Sequence, residues 1–254
     1  MDTRPRGAPN IRPPHFDDIK ASLAAGLRDF TSAPIFGLFF ASFYVSVGLV
    51  MSWITVSTGQ TFWLILAALG FPLIGAFAAL GLYEISRRRM EGEPLDFGQI
   101  VGLVWSQKNG QLPWLAVVIV VVFLFWFFLG HMIFALFLGL SPMTNVSTSL
   151  EVFLTPSGLM MLAFGSAVGA VFATIVFSMS VLGIPMLLDR DVDFMTALTR
   201  SMGAVMERPI VYLLWGAFIG IVTLLAMIPA LLGLFLVLPV LGHATWHLYK
   251  RVTS

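Results

Sequence analysis

Two histidines lie four residues apart in the last apolar segment of the chain, and acidic residues end two earlier segments. His243 and His247 would share one face of a helix near its end, a spacing that can ligate a metal or line a proton path. Glu84 ends an earlier apolar segment, and Asp189 and Asp191 follow another. The pattern predicts that these five residues form a polar cluster at one level of a membrane.

The alternative interpretation is an interfacial polar layer that binds nothing. Each histidine then donates a hydrogen bond to a neighbouring helix, and Trp246 and Tyr249 anchor in the lipid headgroups. A closed transition-metal site needs three or four ligands, and the chain has no cysteine and four histidines. Arg87, Arg88 and Arg190 would also compete with a metal for the carboxylates. We therefore expect no metal site here.

His131 lies within an aromatic stretch of another apolar segment. Such a histidine can be an axial haem or pigment ligand, or it can hydrogen-bond across helices. No second histidine is expected at a matching depth, so we predict no cofactor, although contact with lipid or pigment is compatible with the stretch. Walker-type, HExxH and GxSxG motifs are absent, so an enzyme is not predicted. The net charge of +1 excludes a large nucleic-acid footprint.

The composition is that of a membrane protein. The chain is 58% hydrophobic and 11% charged, whereas soluble domains carry about 25% charged residues. Its long charge-free stretches can be divided into segments of about 20 residues, the length of a spanning helix. Spans are predicted near 34–56, 61–83, 113–138, 158–186, 210–228 and 231–250. The polar, Pro-rich N-terminus lacks a signal-peptide pattern, so the first span is expected to be retained.

The distribution of basic residues predicts the orientation. With six spans, all 14 Lys and Arg residues fall on one side, and the opposite loops carry a single charge, Glu151. By the positive-inside rule, the N- and C-termini face the cytoplasm. This predicts a location in the bacterial inner membrane.

A three-part pattern organises the spans. The segments 16–31, 95–107 and 193–206 have apolar residues at helical spacing, and a proline opens the span after each of them. The predicted fold is all-α and polytopic: six spans as three hairpins, each preceded by a short amphipathic helix at the cytoplasmic membrane surface. We expect a flexible tail over 1–14 and one domain over 15–254, built from units 16–88, 95–188 and 192–251.

Small residues recur at four-residue spacing in two predicted spans. This spacing lets helix backbones approach closely within a membrane. We expect packing roles for Gly165, Gly169, Ala173, Gly216 and Gly220.

Three stretches resemble one family of membrane proteins. They are 75–88 (GAFAALGLYEISRR), 185–193 (PMLLDRDVD) and 239–249 (PVLGHATWHLY). The chain is similar from about residue 12 to 251 to predicted integral membrane proteins that are common in alphaproteobacteria and are grouped as a domain of unknown function. Some members carry automatic labels that relate them to cytochrome c oxidase. The resemblance implies a membrane protein and transfers no catalytic residues.

Two functions remain open from the sequence. The first is a non-catalytic accessory or assembly subunit of an energy-transducing inner-membrane complex, a respiratory oxidase or a photosynthetic core complex, with lipids and other membrane subunits as partners. The second is a small-solute transporter or channel built from the three hairpins. The helix-breaking residues Pro72, Pro185 and Pro239 favour the second. They lie in the second span of each hairpin, which returns to the cytoplasmic side.

The predicted topology can be tested with cysteines introduced into this cysteine-free chain. We expect a cysteine at Ser147 to react with an impermeant thiol reagent in whole cells, because it lies in a predicted periplasmic loop. A cysteine at Ser254 should react only after the membrane is opened. The reverse labelling pattern would overturn the orientation.

Overall fold

Helices make up the regular structure of the described part of the chain. The computed structural model describes residues 4–59, 62–139 and 151–253, and for 62–74 and Glu151 it describes the backbone. The helices are α1 Phe16–Ser32, α2 Pro34–Thr58, α3 Phe62–Glu91, α4 Phe97–Ser106, α5 Leu112–Leu138, α6 Glu151–Leu154, α7 Pro156–Ser180, α8 Gly183–Asp189, α9 Phe194–Glu207, α10 Pro209–Met227 and α11 Leu234–Val252. A 3₁₀ turn, Gln107–Asn109, follows α4.

The three predicted amphipathic segments are confirmed as the helices α1, α4 and α9. Asp96 caps α4, since its carboxylate accepts a hydrogen bond from the Gln99 amide at 2.8 Å. Asp193 caps α9 in the same way through the Thr196 amide, at 2.9 Å. The helices that follow them begin at or beside a proline, as predicted.

Within the described residues, four helical segments are long and apolar enough to cross a membrane. They are Pro34–Thr58, Leu112–Leu138, Pro156–Asp189 (which comprises α7 and α8) and Pro209–Met227. The other two predicted spans correspond to α3 and α11, which are helical. Six spans and their arrangement as three hairpins stay predictions. Of the predicted periplasmic loops, residues 60 and 140–150 lie outside the described part of the chain.

The predicted fourth span is not one continuous helix. Helix α7 ends at Ser180, and α8 resumes at Gly183, because the ring of Pro185 would clash with the carbonyl of residue 181 in a continuous helix. The buried Ser201 of α9 bridges this break. Its hydroxyl donates to the Ser178 carbonyl at 2.6 Å and accepts from the Leu182 amide at 3.1 Å. The other two expected breaks do not occur: α3 continues through residue 72, and Pro239 lies inside α11.

The turn between α10 and α11 is tight. Ala230 and Leu231 have φ values of 51° and 66°, a region that residues other than glycine rarely adopt. The turn near Pro229 was predicted, but α11 begins at Leu234, three residues later than expected. The final hairpin is therefore closed by a strained backbone.

Helix α11 lies at the centre of the molecule and packs against α1, α2, α3, α8 and α10. Its second half is buried, including Trp246, Leu248 and Tyr249. The expectation that Trp246 and Tyr249 anchor in lipid headgroups is therefore wrong. Both rings are enclosed by protein, and the Trp246 ring stacks with the Tyr83 ring of α3.

The apolar residues of helix α1 only partly predict its packed face. Its buried residues are the small or polar Ser22, Ala25, Gly26 and Asp29 together with Phe30, whereas Phe16 and Leu27 are exposed. In a membrane, apolar side chains are stable against lipid, so small residues supply the close protein contact. The small and polar face of α1 therefore lies against α11.

Residues 4–14 are docked on the body of the protein, in contrast to the expected flexible tail. The Pro5 carbonyl accepts from the Asp191 amide at 2.9 Å, and the Arg12 amide donates to the Val252 carbonyl at 2.8 Å. The Arg4 guanidinium also donates to the Leu187 carbonyl at 2.5 Å. This extended segment therefore covers the ends of α8 and α11, and proline residues favour its conformation.

The contact between α1 and α11 generates a stability prediction. A Cβ at Gly26 would lie 2.6 Å from the Ala244 nitrogen and the Val240 oxygen, both backbone atoms that cannot move alone. Gly26→Ala should lower the free energy of unfolding by about 1–3 kcal/mol, measured by thermal unfolding in detergent. Gly203→Ala is the matched control, because a Cβ added at Gly203 in the amphipathic helix α9 would meet no other atom within 4 Å. An unchanged melting temperature for Gly26→Ala would contradict the packing.

Candidate functional site

Four of the five residues predicted to form one cluster belong to three separate groups, and the fifth, Asp191, lies outside them. His243 and His247 join Asp29, Ser86 and Arg89 in what we call the Asp29 network. Glu84 belongs to a second group at the end of α3, and Asp189 to a third at the end of α8. Asp191 contacts the N-terminal segment through its backbone.

The Asp29 network connects three helices. Asp29 of α1 is buried, and its Oδ2 accepts from the Ser86 hydroxyl of α3 at 2.7 Å and from His247 Nε2 of α11 at 2.7 Å. Its Oδ1 accepts from Arg89 Nε of α3 at 2.9 Å. An ionised carboxylate only accepts hydrogen bonds, so all three partners are donors.

The same bonds determine the tautomer of His243. The Ser86 hydroxyl has one proton and donates it to Asp29, so at 2.8 Å His243 Nδ1 must be the donor to Ser86 Oγ. His243 is fully buried, and its Nε2 has no hydrogen-bond partner within the described residues. Nδ1 is thus committed to the network, and a neutral His243 presents an unprotonated Nε2 to the protein interior.

The network stabilises the ionised form of Asp29. Burial by itself raises the pKa of the carboxyl group, but the hydrogen bonds from His247, Ser86 and Arg89 outweigh burial and bring the pKa to about 2. The carboxylate is therefore charged throughout the physiological range. Each histidine bonds to a neighbouring helix, as the interpretation without a metal expected: His243 to Ser86 of α3, and His247 to Asp29 of α1.

The Glu84 group holds α3 against the loop before α4 and against α4 itself. Glu84 is fully buried, and its carboxylate accepts from Arg87 Nε at 2.8 Å and from Arg88 Nε at 2.6 Å. Arg88 continues to the Gln99 side chain at 2.9 Å and the Pro94 carbonyl at 3.1 Å. The prediction that arginines occupy this carboxylate is confirmed. A buried carboxylate with two arginine partners is compensated within the protein.

The Asp189 group joins α8 to α11. Asp189 accepts from Tyr249 Oη at 2.9 Å and from Lys250 Nζ at 3.0 Å. Arg190 also contacts the carboxylate, with Nε at 3.3 Å, as predicted. Each of the three groups therefore joins separate elements of the fold through a carboxylate. Each carboxylate has at least one cationic partner.

His131 hydrogen-bonds within its own helix. Its Nδ1 lies 2.8 Å from the Phe127 carbonyl oxygen, and the two rings contact each other with centroids 4.3 Å apart. This bond holds Nδ1, so Nε2 is the nitrogen that could meet a ligand. Within the described residues, His, Asp and Glu do not assemble into a group of three or more that could hold a metal ion. The absence of a metal stays a prediction.

The small residues differ in their packing. A Cβ at Gly216 would lie 3.2 Å from the Phe177 ring and one at Gly169 would lie 3.3 Å from Trp126 Nε1, so both permit close helix contact. Gly165 has only an ordinary contact with Ile133. Gly220 and Ala173 are exposed, and a Cβ at Gly220 would meet nothing, so the expected packing does not apply to that glycine. The spacing alone did not show which helix face is covered.

Sequence reasoning missed Asp29 and Ser86, the centre of the Asp29 network. Asp29 follows Ser22, Ala25 and Gly26 at i+7, i+4 and i+3, a face of small residues that ends in a carboxylate. Such a face indicates close packing with a buried acid in a membrane protein. Apolar spacing alone does not reveal this face.

Comparison with known proteins identifies the family. Residues 64–189, about half of the chain, match the family model described as "Predicted integral membrane protein (DUF2189)". The chain belongs to this family. The DUF2189 match contains Glu84, Ser86, Arg89 and Asp189, whereas Asp29, His243 and His247 lie outside it. No curated protein and no solved structure matches the chain.

The Asp29 network predicts a pH-dependent stability. The folded pKa of about 2 lies below the ordinary value of about 3.9, so the bonds stabilise the fold above pH 4 and this contribution is lost as pH falls towards 2. Asp29→Asn should lower the free energy of unfolding at pH 7 by about 2–3 kcal/mol. The gap between wild type and variant should narrow as pH falls from 4 to 2.

The measurement is thermal unfolding in detergent across this pH range. Asp17→Asn is the control, because Asp17 lies on the exposed side of the same helix, 4.0 Å from Lys20. It should leave the melting curve unchanged at each pH. A gap between wild type and Asp29→Asn that persists at pH 2 would contradict ionisation as its source.

Proposed function

We propose that the protein is a non-catalytic accessory or assembly subunit of an energy-transducing complex in the bacterial inner membrane, with both termini in the cytoplasm. The complex is a respiratory oxidase or a photosynthetic core complex. The link to energy transduction comes from the sequence resemblance. The role as a subunit is supported by one feature of the surface, the outward face of α7.

The outward face of α7 carries small residues. Ala163, Ser166, Ala167, Ala170 and Ala173 are all exposed and lie within one side of the helix. The glycines of the same helix, Gly165 and Gly169, instead face α5. Small residues on a spanning helix allow another backbone to approach closely, and this approach is a main source of helix association in lipid. The face therefore fits a helix of a partner subunit.

The polar groups fit a supporting role. Asp29, Glu84 and Asp189 are each compensated by cations of the same chain, and their bonds join α1, α3, α4, α8 and α11. Such bonds resist rearrangement, since removing one partner leaves a buried charge unpaired. A rigid scaffold presents the α7 face in one orientation, which favours docking.

A small-solute transporter or channel is the second candidate. It is favoured by the break between α7 and α8, where Ser201 replaces the missing helical bonds at residues 178 and 182. Transporters place their sites at interrupted spanning helices. On this alternative, a solute would bind near the break rather than a partner helix on α7.

Purification in mild detergent tests the proposal. The wild type should purify with other membrane subunits in fixed stoichiometry, determined by mass spectrometry. Ala170→Trp should abolish this association, because the indole prevents close approach of a partner helix. Val171→Trp is the matched control: Val171 is also exposed on α7, but it lies 100° around the helix. A wild type that purifies as a lone monomer or homo-oligomer contradicts the proposal.

A further inference from the structure

An apolar groove separates α2, α3 and α4 on the side of the chain that carries the basic residues. Its volume is about 540 Å³, within the range of about 300–1,000 Å³ that is usual for small-molecule sites. Phe39 and Phe43 of α2, Phe77 of α3 and Val101 of α4 line it, with Trp105 and Lys108 at one end. Among the described lining residues, Lys108 is the one that is not apolar.

The walls of the groove are held in place by aromatic contacts. The Phe36 and Phe97 rings stack with centroids 4.0 Å apart, which joins α2 to α4. Phe39 meets Phe97 and Phe43 edge to face, at 5.5 and 5.3 Å. Such contacts fix the ring positions, so the groove is formed in the protein itself rather than by the ligand.

The end of the groove carries an accessible positive charge. Lys108 is exposed, and its ammonium lies 4.3 Å from the centroid of the Trp105 ring rather than against a carboxylate of the described residues. Trp105 is 67% exposed beside it. A tryptophan and a lysine at the end of an apolar surface are typical of the boundary between hydrocarbon and headgroups.

We propose that this groove binds one anionic phospholipid, with an acyl chain between α2, α3 and α4 and the phosphate at Lys108. This site is independent of the subunit role proposed above. Phe39 and Phe43 follow the start of α2 at Pro34 by about 8 and 14 Å of helix rise, so the groove extends from the predicted cytoplasmic surface into the hydrocarbon. Its depth and its polarity thus match one acyl chain below one headgroup.

Charge, and not hydrocarbon contact, determines which lipid the groove selects. Acyl chains of all phospholipids are equally apolar, so the groove accepts any of them in preference to a void. Only the headgroup differs, and one lysine near a membrane surface favours an anionic lipid by about fivefold in affinity. The preference for an anionic lipid should therefore depend on Lys108. The amount of lipid bound should depend on the free volume of the groove.

Native mass spectrometry of the full chain in detergent tests both parts, with titrations of phosphatidylglycerol and phosphatidylcholine. The wild type should bind one phosphatidylglycerol about fivefold more tightly than phosphatidylcholine. Lys108→Gln should remove this preference and retain lipid binding. Val101→Trp should fill the groove and abolish tight binding of both lipids.

Two controls match these changes. Lys20→Gln removes a lysine from the exposed side of α1, and Val171→Trp adds an indole to the lipid-facing side of α7. Both should behave as wild type. If Val101→Trp does not fold, Lys108→Gln carries the test.

Several outcomes overturn the proposal. Equal affinity of the wild type for the two lipids would show that Lys108 does not select a headgroup. Unchanged lipid binding by a folded Val101→Trp variant would show that the groove is not the site. A dimer that this variant disrupts would assign the groove to a second copy of the chain. A retained apolar molecule without a phosphate would assign it to another ligand class.

Discussion

A carboxylate removed from water must be given donors, and this requirement determines how the two ends of the chain meet. Asp29 accepts from Ser86, Arg89 and His247, which are 57, 60 and 218 residues away in the sequence. An uncompensated charge at this position would cost several kcal/mol. Helix α1 can therefore be buried only where α3 and α11 already lie side by side, and the contact at Gly26 is possible only in that arrangement.

Much of the fold could be predicted because helices have local signals. Proline at the first turn and apolar spacing located α1, α4, α9 and the long apolar segments. The contact of α1 with α11 through small residues was not predictable from apolar spacing, since lipid and protein are alternative apolar environments and the spacing does not distinguish them. The break at 181–182 follows from Pro185, but its stabilisation by Ser201 depends on a contact between helices.

The sequence predicted which polar residues have partners but not how they are grouped. Glu84, Asp189, His243 and His247 lie in the C-terminal halves of their helices, but rotation about each helix axis assigns them to different neighbours. Arg87 and Arg88 could be paired with Glu84 from the sequence because i,i+3 and i,i+4 spacing places them on one face. Asp29 could not be paired in this way, because its partners come from other helices.

The distance in sequence between Asp29 and His247 has a consequence for biosynthesis. A ribosome that adds about 5–20 residues per second needs roughly 10–45 seconds to synthesise the residues between them. During this interval α1 exists without α11, and its carboxylate must remain hydrated at the membrane surface. Helix α11, once it is synthesised, thus completes the burial of α1. An incompletely translated chain retains an exposed acidic helix, a feature by which membrane proteases could distinguish it from the finished protein.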